Sequence, residues 1–123
     1  MTSTPIVSHS VTNISPQEFV ELSDPLLLID VRSGIEYATG HAPTALNLSL
    51  PRIILGRIPM FRSWVLPEWF RELSSDQAIA IICLTAHRSP IAASQLVKVG
   101  WKKVYNITGG MVEWQRLNLE VCK

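Results

Sequence analysis

Ala78-Ile79-Ala80-Ile81-Ile82-Cys83-Leu84-Thr85-Ala86-His87-Arg88-Ser89 runs from an unbroken apolar stretch into a short polar loop, with a cysteine at the join. Residues 78–84 do not alternate between apolar and polar, and a strand without alternation is covered on both faces, as in a parallel sheet. Downstream, Ser89-Pro90 supplies an N-cap and a proline at the first helical position. Ile91, Ala92, Ala93, Leu96, Val97 and Val99 then give one apolar helical face. The spacing predicts a strand, a tight loop and a helix, with Cys83 at the strand's carboxyl end.

Such a junction concentrates positive potential. The N–H groups at the start of a helix and the guanidinium of Arg88 both favour a thiolate over a thiol, and both favour an anion beside it. In open α/β sheets, ligands gather outside the carboxyl ends of the strands. A cysteine in an apolar run is by itself more often a small buried hydrophobe. Position and the C-x4-R-S pattern are what argue for a nucleophile.

Outward from this stretch the same alternation of strand and helix recurs. Ser15-Pro16-Gln17-Glu18 is a capping box with proline at the first helical position, and Leu26-Leu27-Leu28-Ile29-Asp30-Val31 is a second continuous apolar run. Ser33-Gly34-Ile35-Glu36 repeats the capping box, and Gly40-His41 closes that helix before a short strand at Ala45-Leu46-Asn47-Leu48. From Leu50 to Ser75 the pattern is irregular, with Pro51, Pro59 and Pro67 and the aromatics Phe61, Trp64, Trp69 and Phe70. Residues 67–73 read as a helix and the stretch before them as a loop or a further short helix. The aromatics read as core packing first and as the cover of a pocket second. A last strand at Lys103–Ile107 and a last helix at Met111–Leu117 flank Gly109-Gly110. Each parallel crossover needs a covering helix, so the order implies an α/β sandwich with a mostly parallel sheet.

Composition narrows the function classes. The 123 residues suffice for one domain and one core, 47% are hydrophobic and 17% charged, and the formal net charge is +1. That balance gives no electrostatic reason to expect nucleic acid or an anionic membrane as a bulk partner, so any basic patch is local. No apolar run approaches the length of a membrane span, and residues 1–13 lack the organisation of a signal peptide, which makes the cytoplasm the default location. Those thirteen residues read as a flexible segment leading into the first strand, and 14–123 as a single domain. His9, His41 and His87 share no ligand spacing with each other or with Cys83 and Cys122, so no metal and no cofactor is expected.

Three separated motifs resemble the rhodanese-like domain. Residues 30–47, Asp-Val-Arg-Ser-Gly-Ile-Glu-Tyr-Ala-Thr-Gly-His-Ala-Pro-Thr-Ala-Leu-Asn, are similar to the family's D-V-R…E-[YF]-x-x-G-H-I-P-G-A-x-N signature. The loop Cys83–Ser89 resembles C-x-x-G-x-R-[ST], and residues 104–114 resemble the closing V-x-x-L-x-G-G-x-x-x-W. With Ile14-Ser15-Pro16 the match covers nearly the full chain in order. The resemblance implies a three-layer sandwich of five strands between helices. It also implies a sulfurtransferase in which Cys83 carries a persulfide, taking sulfane sulfur from a small anionic donor such as thiosulfate and passing it to cyanide or a thiol, with a sulfur-relay protein as a further partner class. By the same carry-over, backbone N–H groups of Leu84, Thr85, Ala86, His87, Arg88 and Ser89 form an anion cradle, and Arg88 steers the donor. The four residues between Cys83 and Arg88 resemble sulfurtransferases, whereas related phosphatases and arsenate reductases carry one more.

The departures from the pattern are local. Ala86 stands where the family usually has glycine, at a cost on the order of 1–2 kcal/mol if the position needs left-handed backbone angles. His87 is either a titratable donor at the rim or a solvated loop side chain. Ala42 and Thr44 replace the usual isoleucine and glycine, which touches packing near a turn. Asp30, Arg32, Glu36 and His41 read as scaffold, with Asp30 and Arg32 the two expected to approach the site because they end a neighbouring strand. Cys122 reads as a bystander, or as a resolving thiol for the persulfide. The other readings are a non-catalytic protein-binding or sulfur-carrier module that uses the Leu50–Leu73 aromatic segment, and more distantly a cysteine-based phosphatase or arsenate reductase. The physiological donor and acceptor and the oligomeric state are not legible.

Overall fold

Five strands and seven helices, alternating except where three helices follow the third strand in succession, run through the described residues 11–24, 26–85 and 87–123 of a computed structural model. Residues 1–10, Pro25 and Ala86 lie outside the described residues, and with them the expectations of a flexible leader over 1–10 and of an altered cradle at Ala86. The elements are β1 (Val11–Ile14), α1 (Pro16–Val20), β2 (Leu27–Asp30), α2 (Gly34–Thr39), β3 (Leu46–Asn47), α3 (Leu50–Leu55), α4 (Pro59–Val65), α5 (Glu68–Arg71), β4 (Ile79–Ile82), α6 (Arg88–Lys98), β5 (Val104–Ile107) and α7 (Gly110–Arg116). All strand pairs are parallel, in the order β1-β5-β4-β2-β3. β1 starts at Val11, so the sheet takes in three residues of the segment read from sequence as leading into the domain. Polar Thr12 and Asn13 hid this edge strand from an apolar pattern.

The two central strands explain the continuous apolar runs. Side chains alternate across a strand, and helices cover both faces here, so both phases must be apolar. Leu28, Ala80, Ile82 and Ile107 face one layer with Met111 and Trp114 of α7. Ile29, Ile79, Ile81 and Val104 face the other, with Ile53 of α3, Phe70 of α5 and Ala92, Ala93 and Leu96 of α6. The result is the expected three-layer α/β sandwich. No helix among the described residues is long and apolar enough to cross a membrane.

Both capping boxes form, at Ser15 with Glu18 and at Ser33 with Glu36. The irregular stretch resolves into α3, α4 and α5, each opened by one of the three prolines, whose fixed φ suits a helix start. Its aromatics divide. Phe70 is buried and stacks on Trp101 with centroids 5.6 Å apart, while Trp64 projects into solvent.

Thr44 has φ +67°, left-handed backbone that a β-branched residue rarely adopts. Thr44→Gly is therefore expected to stabilise the fold by about 1 kcal/mol, because the strain relieved outweighs the added freedom of the unfolded chain. Urea unfolding checks it, and a variant no more stable than the parent would show that the turn carries no strain.

Candidate functional site

β2 continues outward to β3 through α2, whereas β4 continues in the opposite direction to β5 through α6. The two connections diverge from adjacent strands, which opens a crevice at their carboxyl ends, the place where ligands bind in such sheets. Cys83 follows β4 directly and is fully buried. Its Sγ lies 3.3 Å from Ser89 Oγ, accepted by that oxygen as a thiol; a thiolate would take the hydroxyl proton's hydrogen bond instead. Ser89 is thus a partner of Cys83 and not the N-cap expected from Ser89-Pro90. α6 starts earlier, at Arg88, with His87 in the cap position and Ser89 buried in the first turn. The contact with Cys83 occupies the hydroxyl that sequence reasoning had assigned to capping.

α7 sets the path of the loop. Met111 N–H donates to Cys83 O at 2.7 Å and Val112 N–H to Leu84 O at 2.9 Å. A trans peptide points its N–H opposite its carbonyl, so holding these two oxygens against α7 turns the N–H groups of Leu84 and Thr85 to the far side of the loop. The close approach depends on Gly109 and Gly110, with φ +75° and +58°. A Cβ on Gly110 would lie 2.4 Å from Cys83 O and 2.6 Å from Leu84 O.

Arg88 does not project alone into the crevice. Its Nη1 and Nη2 donate to Glu36 Oε1 and Oε2 at 2.6 and 2.9 Å, a bidentate pair between α2 and the start of α6 that bridges the two diverging connections. Glu36 also closes its own capping box by accepting from Ser33 N at 3.1 Å. The guanidinium of Arg88 beside it, aided by the Ser33 hydrogen bonds and opposed by partial burial, holds the Glu36 carboxyl down at about 2. Glu36 in turn raises the Arg88 pKa, with further support from the negative charges of Cys83 and Asp30.

Because the folded-state Glu36 pKa is depressed, the pair's stabilisation is complete above the ordinary carboxylate value of 4.5 and is lost as pH falls towards 2. With side chains 31% and 34% exposed, solvent screening limits it to about 1 kcal/mol. Glu36→Gln, which keeps a capping residue, is expected to remove that increment at pH 7 and to flatten the fall in stability between pH 4.5 and 2. Denaturant titrations across that range check it; parallel curves for parent and variant would refute the linkage.

Asp30 and Arg32 pair with each other below the crevice. Arg32 Nη2 donates to Asp30 Oδ2 at 2.8 Å and to Gly40 O at 2.6 Å, Arg32 Nε lies 3.0 Å from Asp30 Oδ1, and both residues are buried. Asn47 Nδ2 donates to the carbonyls of Asp30 and Arg32, tying the end of β2 to β3. His41 stacks on Tyr37 with centroids 3.8 Å apart and exchanges backbone hydrogen bonds with Cys122, an arrangement that pins the chain's end. Leu84, Thr85 and His87 are exposed on the loop. Glu36 is the member of this constellation that sequence reasoning left as scaffold. Only the residues 52 positions downstream of Glu36 give it a second role, and nothing local announces that.

Comparison with known proteins agrees with this geometry. A family model described as the rhodanese-like domain matches residues 15–117. A sulfurtransferase of Allochromatium vinosum is 30% identical over 99 residues, covering 80% of each chain. Among solved structures, a human single-domain sulfurtransferase superposes with TM-score 0.71 at 23% identity, covering 87% of this chain and 97% of the other. A Rhodopseudomonas palustris protein described as a possible tyrosine phosphatase superposes with TM-score 0.75 at 21% identity, covering 91% and 85%. At those identities the two structures attest the fold alone.

Proposed function

Since the chain belongs to the rhodanese-like domain family, we propose that it is a sulfurtransferase that carries sulfane sulfur as a persulfide on Cys83. The observation that carries the reading is the placement of Cys83 at the carboxyl end of a central strand, beside the start of α6, with its loop carbonyls held away by α7. The Cys83 thiolate attacks the outer sulfur of thiosulfate, the sulfur–sulfur bond of the donor breaks, and sulfite leaves with the bonding pair. Cyanide or a thiolate then attacks the terminal sulfur of the persulfide and regenerates the Cys83 thiolate. Electrons balance within each displacement. Backbone N–H groups of the loop and the first turn of α6 stabilise the negative sulfur in both states. Ser89 Oγ adds one hydrogen bond. Arg88, anchored by Glu36, supplies long-range positive potential and holds the loop in place, so it acts as a positioning residue.

Leu84, Thr85 and His87 line the loop's exposed side and would meet the donor first. The sulfur-transfer reading is preferred over phosphate ester hydrolysis because only four residues separate Cys83 from Arg88. Intact mass spectrometry before and after thiosulfate, then after cyanide, tests it. One added sulfur that appears with thiosulfate and leaves with cyanide is expected. A mass unchanged by thiosulfate and by an alkyl persulfide would end the proposal, and release of phosphate from an aryl phosphate would replace it.

A further inference from the structure

The segment Leu50–Leu66, which the sulfur-transfer reading does not use, concentrates features that belong together at a lipid interface. It holds Arg52, Arg57 and Arg62 and no carboxylate, in a chain whose formal net charge is only +1. None of the ion pairs among the described residues involves these three arginines. Their hydrogen bonds go to neutral oxygens, Arg52 Nε to Val65 O at 2.7 Å and Arg57 Nη1 to Gln95 Oε1, so their charge is not offset.

The same segment exposes large apolar side chains. Met60 and Trp64 are 80% and 78% exposed, and Ile54, Leu55 and Ile58 are also exposed. Met60 and Trp64 lie four residues apart on α4, hence on one helical face. Each is more open to water than a monomer's surface ordinarily leaves such a residue, and Ile54, Leu55 and Ile58 add exposed apolar surface within the same short segment. Between Arg57 and Arg62, both exposed at its rim, a cavity of about 380 Å³ opens onto the buried side chains of Leu66, Phe70, Leu96 and Trp101.

We propose that α3 and α4 form a docking surface for an acidic lipid bilayer, with Met60 and Trp64 entering the interfacial region and Arg52, Arg57 and Arg62 meeting the headgroups. An exposed tryptophan beside arginines, with no carboxylate to repel anionic lipid, is the composition that favours partition into such an interface. The elements are short, so the binding is peripheral and reversible. The surface is carried by α3, α4 and the turn between them, and none of its exposed side chains belongs to the Cys83–Ser89 loop.

Flotation of the 123-residue chain with vesicles tests this, using phosphatidylcholine alone and phosphatidylcholine with about 30% phosphatidylserine. The protein is expected to float with the acidic vesicles only, and to be released when salt is raised from about 0.1 M to 1 M, which shortens the screening length from about 10 to 3 Å. Met60→Ser with Trp64→Ser is expected to weaken binding about tenfold, and Arg57→Gln with Arg62→Gln about fivefold for each charge removed. All four side chains are exposed, so melting temperatures should match the parent and report intact folding. Equal flotation with both vesicle types, no flotation with either, or variants that bind like the parent would overturn the proposal. So would a parent that self-associates in sedimentation velocity and loses that association with Met60→Ser and Trp64→Ser, which would assign the patch to a second copy of the chain.

Discussion

Cys83→Ser is expected to lower sulfur transfer from thiosulfate to cyanide by roughly 10³-fold or more, and to abolish the added sulfur in the intact mass. A serine hydroxyl stays protonated at neutral pH, and Ser89 Oγ, 3.3 Å from Sγ, is itself a hydroxyl and no base. Oxygen is also a poor nucleophile towards divalent sulfur. The variant should nevertheless fold. Serine occupies slightly less volume than cysteine, and Ser89 offers a hydrogen-bond partner to the new buried hydroxyl, so the expected destabilisation is only about 1 kcal/mol. Turnover and circular dichroism measured on the same sample separate the two effects. Retention of full turnover by a folded Cys83→Ser would remove the cysteine from the mechanism, and Cys122 would become the thiol to examine.

The second large effect is expected far from Cys83 in sequence. Gly110→Ala should reduce turnover about 100-fold, because a displacement near 1 Å of reacting groups costs about that much. It should also destabilise the fold by about 3 kcal/mol or more. Its Cβ would meet backbone at 2.4 Å, which no side-chain rotation can relieve, and the residue's φ of +58° is already unfavourable for alanine. Either α7 withdraws and loses its bonds to the Cys83 and Leu84 carbonyls, or the loop is pushed away from α7. Gly100 provides the control. It has φ +110° but nothing within 4 Å of an added Cβ, so Gly100→Ala is expected to cost stability without loss of turnover per folded molecule. Kinetics at a temperature where both variants are folded decide the matter; a fully active Gly110→Ala would show that the helix does not set the loop.

Much of the architecture was legible because the core strands are buried on both faces. Residues 26–31 and 78–84 announce themselves by unbroken apolar runs, and the helices α1 and α2 by capping boxes that form as read. Edge strands are less visible. Val11–Ile14 alternates imperfectly and carries Thr12 and Asn13, so only its pairing with β5 defines it. The start of α6 was misplaced for a different reason: Ser89 satisfies local N-cap preferences, yet its hydroxyl is taken by Cys83, and the helix begins two residues earlier, at Arg88 instead of Pro90. Local propensity lost to a tertiary contact.

The sequence by itself determined that this chain builds a parallel α/β sandwich and puts Cys83 at the mouth of a central strand, because apolar periodicity and capping are short-range properties written in neighbouring residues. Only the tertiary structure decided what surrounds that cysteine. The pairing of Arg88 with Glu36, 52 residues away, the sealing of Arg32 against Asp30 and Gly40, and the seating of α7 through Gly110 on the Cys83 carbonyl all depend on which strand lies beside which. The exposure of Trp64 beside the burial of Phe70 has the same origin, since an aromatic side chain carries no mark of the face it will occupy until the helices are packed.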